Sequence, residues 1–363
     1  TLVYTENATA TIIDSALTVT DVDSANISGA TIAVSANYAI GQDTLAFTNQ
    51  LGITGSWDSG TGVLTLSGTT SKANYQTALR SVTYVNSSDN PTSATRTIAF
   101  VVNDGSLNSA TATRDISVTA VNDTPVLTSA TLTVSEGQTV TLGGANFGVT
   151  DPDDTGFTYT VSGVTGGIFQ LSTAAGTPIT SFTSADLSGG LVQFVDDGNE
   201  VAPSFSVTVN DGDVDSNTLA ATINYTPVND APVNTVPGAQ TTAEDTTLVF
   251  STANGNSLSI ADVDAGGADN EITLSVTNGT LTLSGIAGLT FSAGDGTADA
   301  TMTLRGTAAA INTALNGLRY APTANYSGSA TLTLATKDST LVSLDVDTGL
   351  LGRYTFENTG ALG

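Results

Sequence analysis

The sequence predicts an all-β protein made of tandem β-sandwiches, and three observations carry the prediction. Apolar and polar residues alternate with period two through 97–102, 205–209 and 331–334, the pattern of pleated strands with one face in a core. Thr and Val dominate these runs, which suits strands, and clusters of Gly, Asn, Asp and Ser separate them as in sandwiches. Landmarks also repeat along the chain. Val121-Asn122-Asp123-Thr124-Pro125 returns 107 residues later as Val228-Asn229-Asp230-Ala231-Pro232, and Asn103-Asp104-Gly105 returns at the same offset as Asn210-Asp211-Gly212. Asp21-Val22-Asp23 returns as Asp151-Pro152-Asp153 and Asp262-Val263-Asp264, with Glu6, Glu136 and Glu244 upstream of the three pairs.

Helical pattern is scarce. Residues 72–82 place Tyr75, Ala78, Leu79 and Val82 on one side, and 308–318 do the same with Ile311, Leu315 and Leu318. Thr77-Ala78-Leu79 with Tyr84 and Thr313-Ala314-Leu315 with Tyr320 are 236 residues apart. The repeats divide the chain into three units, 1–123, 124–230 and 231–347, and leave 348–363 as the start of a further β domain. The first and third share the helix. The middle unit lacks it and carries a Gly-rich stretch, 163–167. Asn-Asp-x-Pro marks each boundary. Proline fixes φ, removes a donor and extends the residue before it, so the linkers are short and stiff and the units should form a rod. Each unit is long enough for its own core.

Charge narrows the function. The 363 residues hold 34 Asp and Glu against 8 Lys and Arg, with no His and no Cys, for a formal net charge of −26. Few cations are available to displace phosphate counterions, which argues against nucleic acid. Disulfides, thiolate zinc sites and cysteine nucleophiles are excluded, as are histidine bases and ligands. Asp outnumbers Glu 28 to 6, as in a protein whose acids sit in turns. At 39% hydrophobic the chain is no disordered acidic tail. No run approaches the ~18 apolar residues of a membrane span. Thr1 lies inside a strand-like run, as in a piece of a longer, processed protein.

In a seven-stranded sandwich the loops after the second and sixth strands share one end with the incoming linker. Asn122, Asp123, Asp151, Asp153 and Asp211 should therefore meet at one junction, joined by Glu6. Asn229, Asp230, Asp262, Asp264, Asp338 and Glu136 should meet at the next. Asp21, Asp23 and Asp104 form the matching set of the first unit, where the linker is missing. So many carboxylates repel unless a cation lies among them. Ca²⁺ takes about 6–8 oxygen ligands in irregular geometry, whereas Mg²⁺ keeps its waters, and softer metals prefer the absent His and Cys. Each motif also has an ordinary explanation, since Asn-Asp-Gly is a turn signal and Asp-x-Asp occurs in solvated loops.

The order Glu, Asp-x-Asp, Asp-Gly, Asn-Asp-x-Pro resembles that of cadherin repeats. It is most similar to the cadherin-like repeats of large bacterial secreted or surface proteins, of which the string at 228–233 is typical, and the middle unit is also similar to the chondroitin-sulphate-proteoglycan-type repeat. The resemblance implies Ig-like Greek-key sandwiches, calcium between domains and an adhesive or spacer role. It implies that Glu6 and Glu136 are lower-site ligands, and that the Asp-x-Asp pairs and the Asp of Asn-Asp-Gly are upper-site ligands. Animal cadherins also carry Asp-x-Glu between the fifth and sixth strands. Here the first unit has only Asp89 in that loop, the second has Asp196, Asp197 and Glu200, and the third, at 323–328, has no carboxylate. The 350–357 segment resembles the first strand of a laminin-G-like domain, and Asp345-Val346-Asp347 before it reads as a further calcium loop or a polar strand end.

The expected function is an extracellular, calcium-stiffened spacer or adhesin stalk of a bacterial surface protein, with no enzyme activity and no membrane insertion. Its partners are calcium and neighbouring domains, copies of itself, or surface and matrix ligands. Two alternatives stand beside it: a filament subunit joined by strand exchange, and a stalk presenting a carbohydrate-binding domain. Carboxylate pairs run glycoside hydrolysis without His, but a chemistry repeated at every boundary fits worse than a repeated metal clamp.

Overall fold

The computed structural model describes residues 1–338 and, as backbone, residues 352–359. The described residues are all-β, with three short α-helices among them, and their strands form successive sandwiches. Its residues gather into two compact units, Thr1–Asp197 with Pro203–Asn224, and Gly198–Ala202 with Tyr225–Gly363. The first unit thus holds the first two sandwiches.

In the first sandwich the larger sheet runs Leu2–Thr5, Ala112–Thr119, Arg96–Asn103, Asn26–Ala36, Val63–Ser71, Thr54–Asp58, and the smaller runs Thr11–Ile12, Thr83–Asn86, Asp43–Ala46. Leu2–Thr5 pairs parallel to Ala112–Thr119, while the other pairings are antiparallel. Period-two alternation sends Ile32, Val34, Leu64, Leu66, Ile98 and Phe100 into the core. Helix α1, Lys72–Arg80, follows the Val63–Ser71 strand directly. Ser71 caps it by accepting a bond from the Asn74 amide, and Tyr75, Ala78 and Leu79 are its buried face, as the sequence predicts.

The second sandwich is filled by aromatic rings. Phe169 sits edge-on to Phe194 at 5.2 Å and to Phe205 at 4.9 Å, and Tyr159 stacks on Phe182 at 5.4 Å. One correction falls here. The middle unit does carry a helix, α2, Ser184–Ser188, at the place α1 takes in the first. Thr183 and Asp186 close a reciprocal capping box, so a five-residue helix too short to show periodicity still forms.

In the third sandwich α3, Ala308–Leu315, buries Ile311, Ala314 and Leu315 under a Thr307 cap. Its larger sheet runs Thr241–Ala243, Gly352–Thr359, Gly328–Asp338, Asp269–Val276, Thr301–Thr307, Thr290–Ala293. This corrects the boundary expected at 347. Residues 352–359 pair parallel to Thr241–Ala243 and antiparallel to Gly328–Asp338, as Ala112–Thr119 does with its neighbours. They are the closing strand of this sandwich rather than the opening of a laminin-G-like domain. A period-two run does not say which sheet it joins. Asp345-Val346-Asp347 lies outside the described residues.

Candidate metal centres

The same local bonding builds the acidic loops of the first two sandwiches. Asp21 Oδ1 accepts the Asp23 and Ser24 amides at 3.1 and 2.7 Å, and Asp151 Oδ1 accepts those of Asp153 and Asp154 at 2.8 and 2.9 Å. Asp104 Oδ1 accepts the Ser106 and Leu107 amides, and Asp211 Oδ1 those of Asp213 and Val214. Asx turns of this kind fix where each carboxylate lies. The Ser24 amide draws Asp21 below the usual carboxylate range, and the Leu107 amide does the same for Asp104. One carboxylate oxygen from each of Asp21, Asp23 and Asp104 lies within 4.8 Å of the others.

The upstream glutamates share a turn. The Ala8 amide bonds to Thr5 O, Gln138 to Ser135 O, and Thr246 to Ala243 O. The residue after each Glu is left-handed: Asn7 at φ 59°, Gly137 at φ 65° and Asp245 at φ 56°. Positive φ at the third position is what a type II turn requires, and Asn, Gly and Asp tolerate it best. The turn sets each Glu at the end of its strand. Glu6 is 5% exposed, and its Oε2 accepts the Val121 amide at 3.0 Å, so it reaches the linker as expected.

At the first junction the predicted residues meet. The Asp123 amide donates to Asp153 Oδ2 at 2.7 Å, and Asn122 Nδ2 to Asp211 Oδ2 at 2.9 Å. That amide is the largest influence drawing Asp211 below its ordinary value. Asn90 Nδ2 reaches Pro152 O at 3.0 Å, bringing the Asp89 loop onto the Asp-x-Asp loop. Asp123 is pushed up by desolvation first, then by Asp153, Asp89 and Asp151. Desolvation also raises Asp154, with Asp151 and Asp211 adding to it. Asp123 Oδ2 and Asp151 Oδ2 are buried and receive no hydrogen bond. Buried acceptors without donors are costly, and a hard cation would satisfy them. The donor set of carboxylates, amide oxygens and backbone carbonyls fits Ca²⁺.

The second set divides between the two compact units. In the first unit Glu136 precedes Gly137, whose amide donates to Asp196 Oδ1 at 2.8 Å, and the Asp197 amide donates to Gly166 O. Asp196 is buried. In the second unit the Asp230 amide donates to Asp264 Oδ2 at 2.8 Å, repeating the Asp123–Asp153 contact, and Asn229 Nδ2 reaches Asp230 O at 3.3 Å. Asp262 has both carboxylate oxygens buried without donors. Its carboxyl is pushed up to about 6, by burial first and then by Asp264 and Asp338. Asn270, fully buried and paired in register with Asp338, lies beside it.

Sequence reasoning missed Asp154 and Asn270 as members of these sites, because neither repeats between units. It also missed two amides that hold the chain leading into the Asp-x-Asp loops. Gln76 Oε1 accepts the Val19 amide at 3.2 Å, and Asn312 Oδ1 accepts the Ile260 amide at 2.8 Å. The signal was present, since both stand immediately before the repeated Thr-Ala-Leu.

Residues 125–225 match the Cadherin-like family model. That stretch is the second sandwich. The chain is also 31% identical over 351 residues to halomucin of Haloquadratum walsbyi (strain DSM 16790 / HBSQ001), a similarity covering 92% of this chain and 4% of that protein. The chain thus spans a small fraction of the relative it matches. Among solved structures, EC1-2 of human mucin-like protocadherin is similar at TM-score 0.32 and 12% identity, covering 65% of this chain and 98% of that one. EC1-2 of human protocadherin-24 is similar at TM-score 0.30 and 15% identity, covering 65% and 97%.

Proposed function

We propose that this chain is an extracellular structural or adhesive segment whose sandwiches are locked end to end by calcium. The observation that carries the reading is the first junction, where Asp123 and Asp151 each bury a carboxylate oxygen without a donor, among acids contributed by the linker and both flanking sandwiches. The Cadherin-like match and the similarity to halomucin support a surface-exposed tandem-domain role. Calcium neutralises the facing carboxylates and holds them at fixed distances. Without it they repel, and the joint has only the linker and a few hydrogen bonds to define its angle. The work is mechanical, with no catalytic residue required.

Calcium titration of the chelator-treated chain by isothermal calorimetry tests this. Saturable binding is expected, and Asp151→Asn should remove sites at the first junction while the sandwiches keep their circular dichroism. A chain that takes up no calcium at millimolar concentration would overturn the reading.

A further inference from the structure

The third sandwich departs from the second where its core meets the acidic loop. Val233 lies opposite Ala261 as Val126 lies opposite Thr150, so Asn234 takes the place of Leu127. Ile272 pairs with Thr336 as Tyr159 pairs with Val209, so Thr336 takes the place of Val209. Asn270, two residues before Ile272, takes that of Phe157. Three apolar positions have become an amide, a hydroxyl and an amide. Thr336 is 2% exposed and Asn270 0%. Thr336 Oγ1 donates to Asn234 Oδ1, and Asn234 Nδ2 to Leu334 O at 3.4 Å. Asn270 has no such closure, since neither its Oδ1 nor its Nδ2 makes a hydrogen bond. The loop above has changed as well. Asp21 and Asp151 each commit Oδ1 to two amides of their own loop. Asp262 accepts none, and both its oxygens are buried without a donor. Asn270 is its neighbour, and Asp338 lies opposite Asn270 in register. All of these residues belong to one compact unit.

We propose that Asp262 and Asn270 hold a cation inside the third sandwich, above a polar floor of Thr336 and Asn234, and that this ion stabilises the one sandwich rather than a joint between two. Four buried polar atoms without partners in one place are costly. A water molecule satisfies the amide, but it does not neutralise a buried carboxylate that faces Asp264 and Asp338. A hard cation does both: Asp262 supplies carboxylate oxygens, Asn270 its amide oxygen, and Asp338 further charge from the opposite strand. The Thr336–Asn234 pair lies one step deeper on the same inner side, where it replaces apolar groups that would exclude an ion and its water. The second sandwich, with Leu127, Phe157 and Val209 at these places, has no room for such a seat. The interior seat stands on this packing alone, while the choice of calcium rests on the function proposed above.

The test follows amide hydrogen exchange over 269–276 and 328–338 in the full chain, in EGTA and across a calcium titration. Calcium is expected to slow exchange in both strands. Asn270→Leu should reverse its effect between the two conditions. In EGTA it should slow exchange, because an orphaned amide has been replaced by an apolar group. In calcium it should require about tenfold more of the ion, or greater, for the same protection. Asn270→Asp, which keeps an oxygen at the site, should retain the calcium response and speed exchange in EGTA. Slower exchange for Asn270→Leu by the same factor in both conditions would show a void or a water there and overturn the ion. Faster exchange by the same factor in both would reduce Asn270 to packing and overturn it too. If Asp151→Asn removes calorimetric calcium sites while Asn270→Leu leaves the titration unchanged, the interior ion is wrong and the calcium-locked junction stands. If calcium protects 269–276 through Asn270 while Asp151→Asn changes nothing, the interior ion stands and the junction clamp is wrong.

Discussion

Arg96 and Asp43 are both fully buried in the first sandwich, with Arg96 Nε 3.3 Å from Asp43 Oδ2. The carboxylate is saturated: Tyr84 Oη and Asn86 Nδ2 donate to Oδ1 at 2.6 Å each, and the Ala39 amide to Oδ2 at 2.8 Å. Arg96 Nη1 donates to the carbonyls of Thr92 and Ala94. Burial, together with Asp43, pushes the Tyr84 hydroxyl up. Removing one member of such a pair strands the other in a dry site, so Asp43→Ala should cost about 3–5 kcal/mol in urea unfolding; a loss near zero would show that the pocket hydrates. Nothing in the sequence pointed to this pair, because ordinary residue types 53 positions apart carry no local signal. Asp262 gives a pH prediction. Its carboxyl is raised to about 6 in the fold, so the folded state holds the proton more tightly than the unfolded chain. In EGTA its effect on stability is absent at about pH 4 and below, and stability falls as pH rises through about 6. Asp262→Asn should flatten that part of the profile in calorimetric scans, and an unchanged slope would contradict the assignment.

The glutamate turns are the element most often reused, and their sequence form is Glu followed by Asn, Gly or Asp. Glutamate is the repeated residue type, yet the residue behind it carries the backbone requirement. Gly137 is left-handed, and a Cβ there meets nothing within 4 Å, so Gly137→Ala should cost only the conformational term, about 1–2 kcal/mol. Gly137→Asn should cost less, because Asn already serves in the first turn. Equal losses for the two variants in thermal melts would argue that packing sets the turn instead. Helices α1 and α3 were legible because the apolar periodicity over 72–82 and 308–318 spans about three turns. Helix α2 was not, since its five residues are held by the Thr183–Asp186 box rather than by an apolar stripe.

At the scale of the whole molecule, repetition carried most of what the sequence revealed. Landmarks 107 residues apart located the linkers and the acids of the first junction, because each sandwich delivers its second and sixth loops to the same end. Features present in one unit alone, Asp154 and Asn270 among them, have no echo to mark them, and a period-two run such as 352–359 does not show that it returns to its own sheet. The formal charge of −26 predicts a second behaviour. Self-repulsion weakens as salt shortens the Debye length to about 10 Å at 0.1 M, so NaCl should raise the melting temperature gradually, whereas calcium should raise it at far lower concentration; identical dependence on ionic strength for both salts would reduce calcium to a screening ion. The absence of Cys allows the central claim to be measured directly. Spin labels on Ser59→Cys in the first sandwich and Ser188→Cys in the second, both exposed, report the first junction by pulsed electron resonance. A calcium-locked junction predicts one narrow distance distribution in calcium that broadens in EGTA and narrows again on recalcification; the same distribution under all three conditions would contradict it.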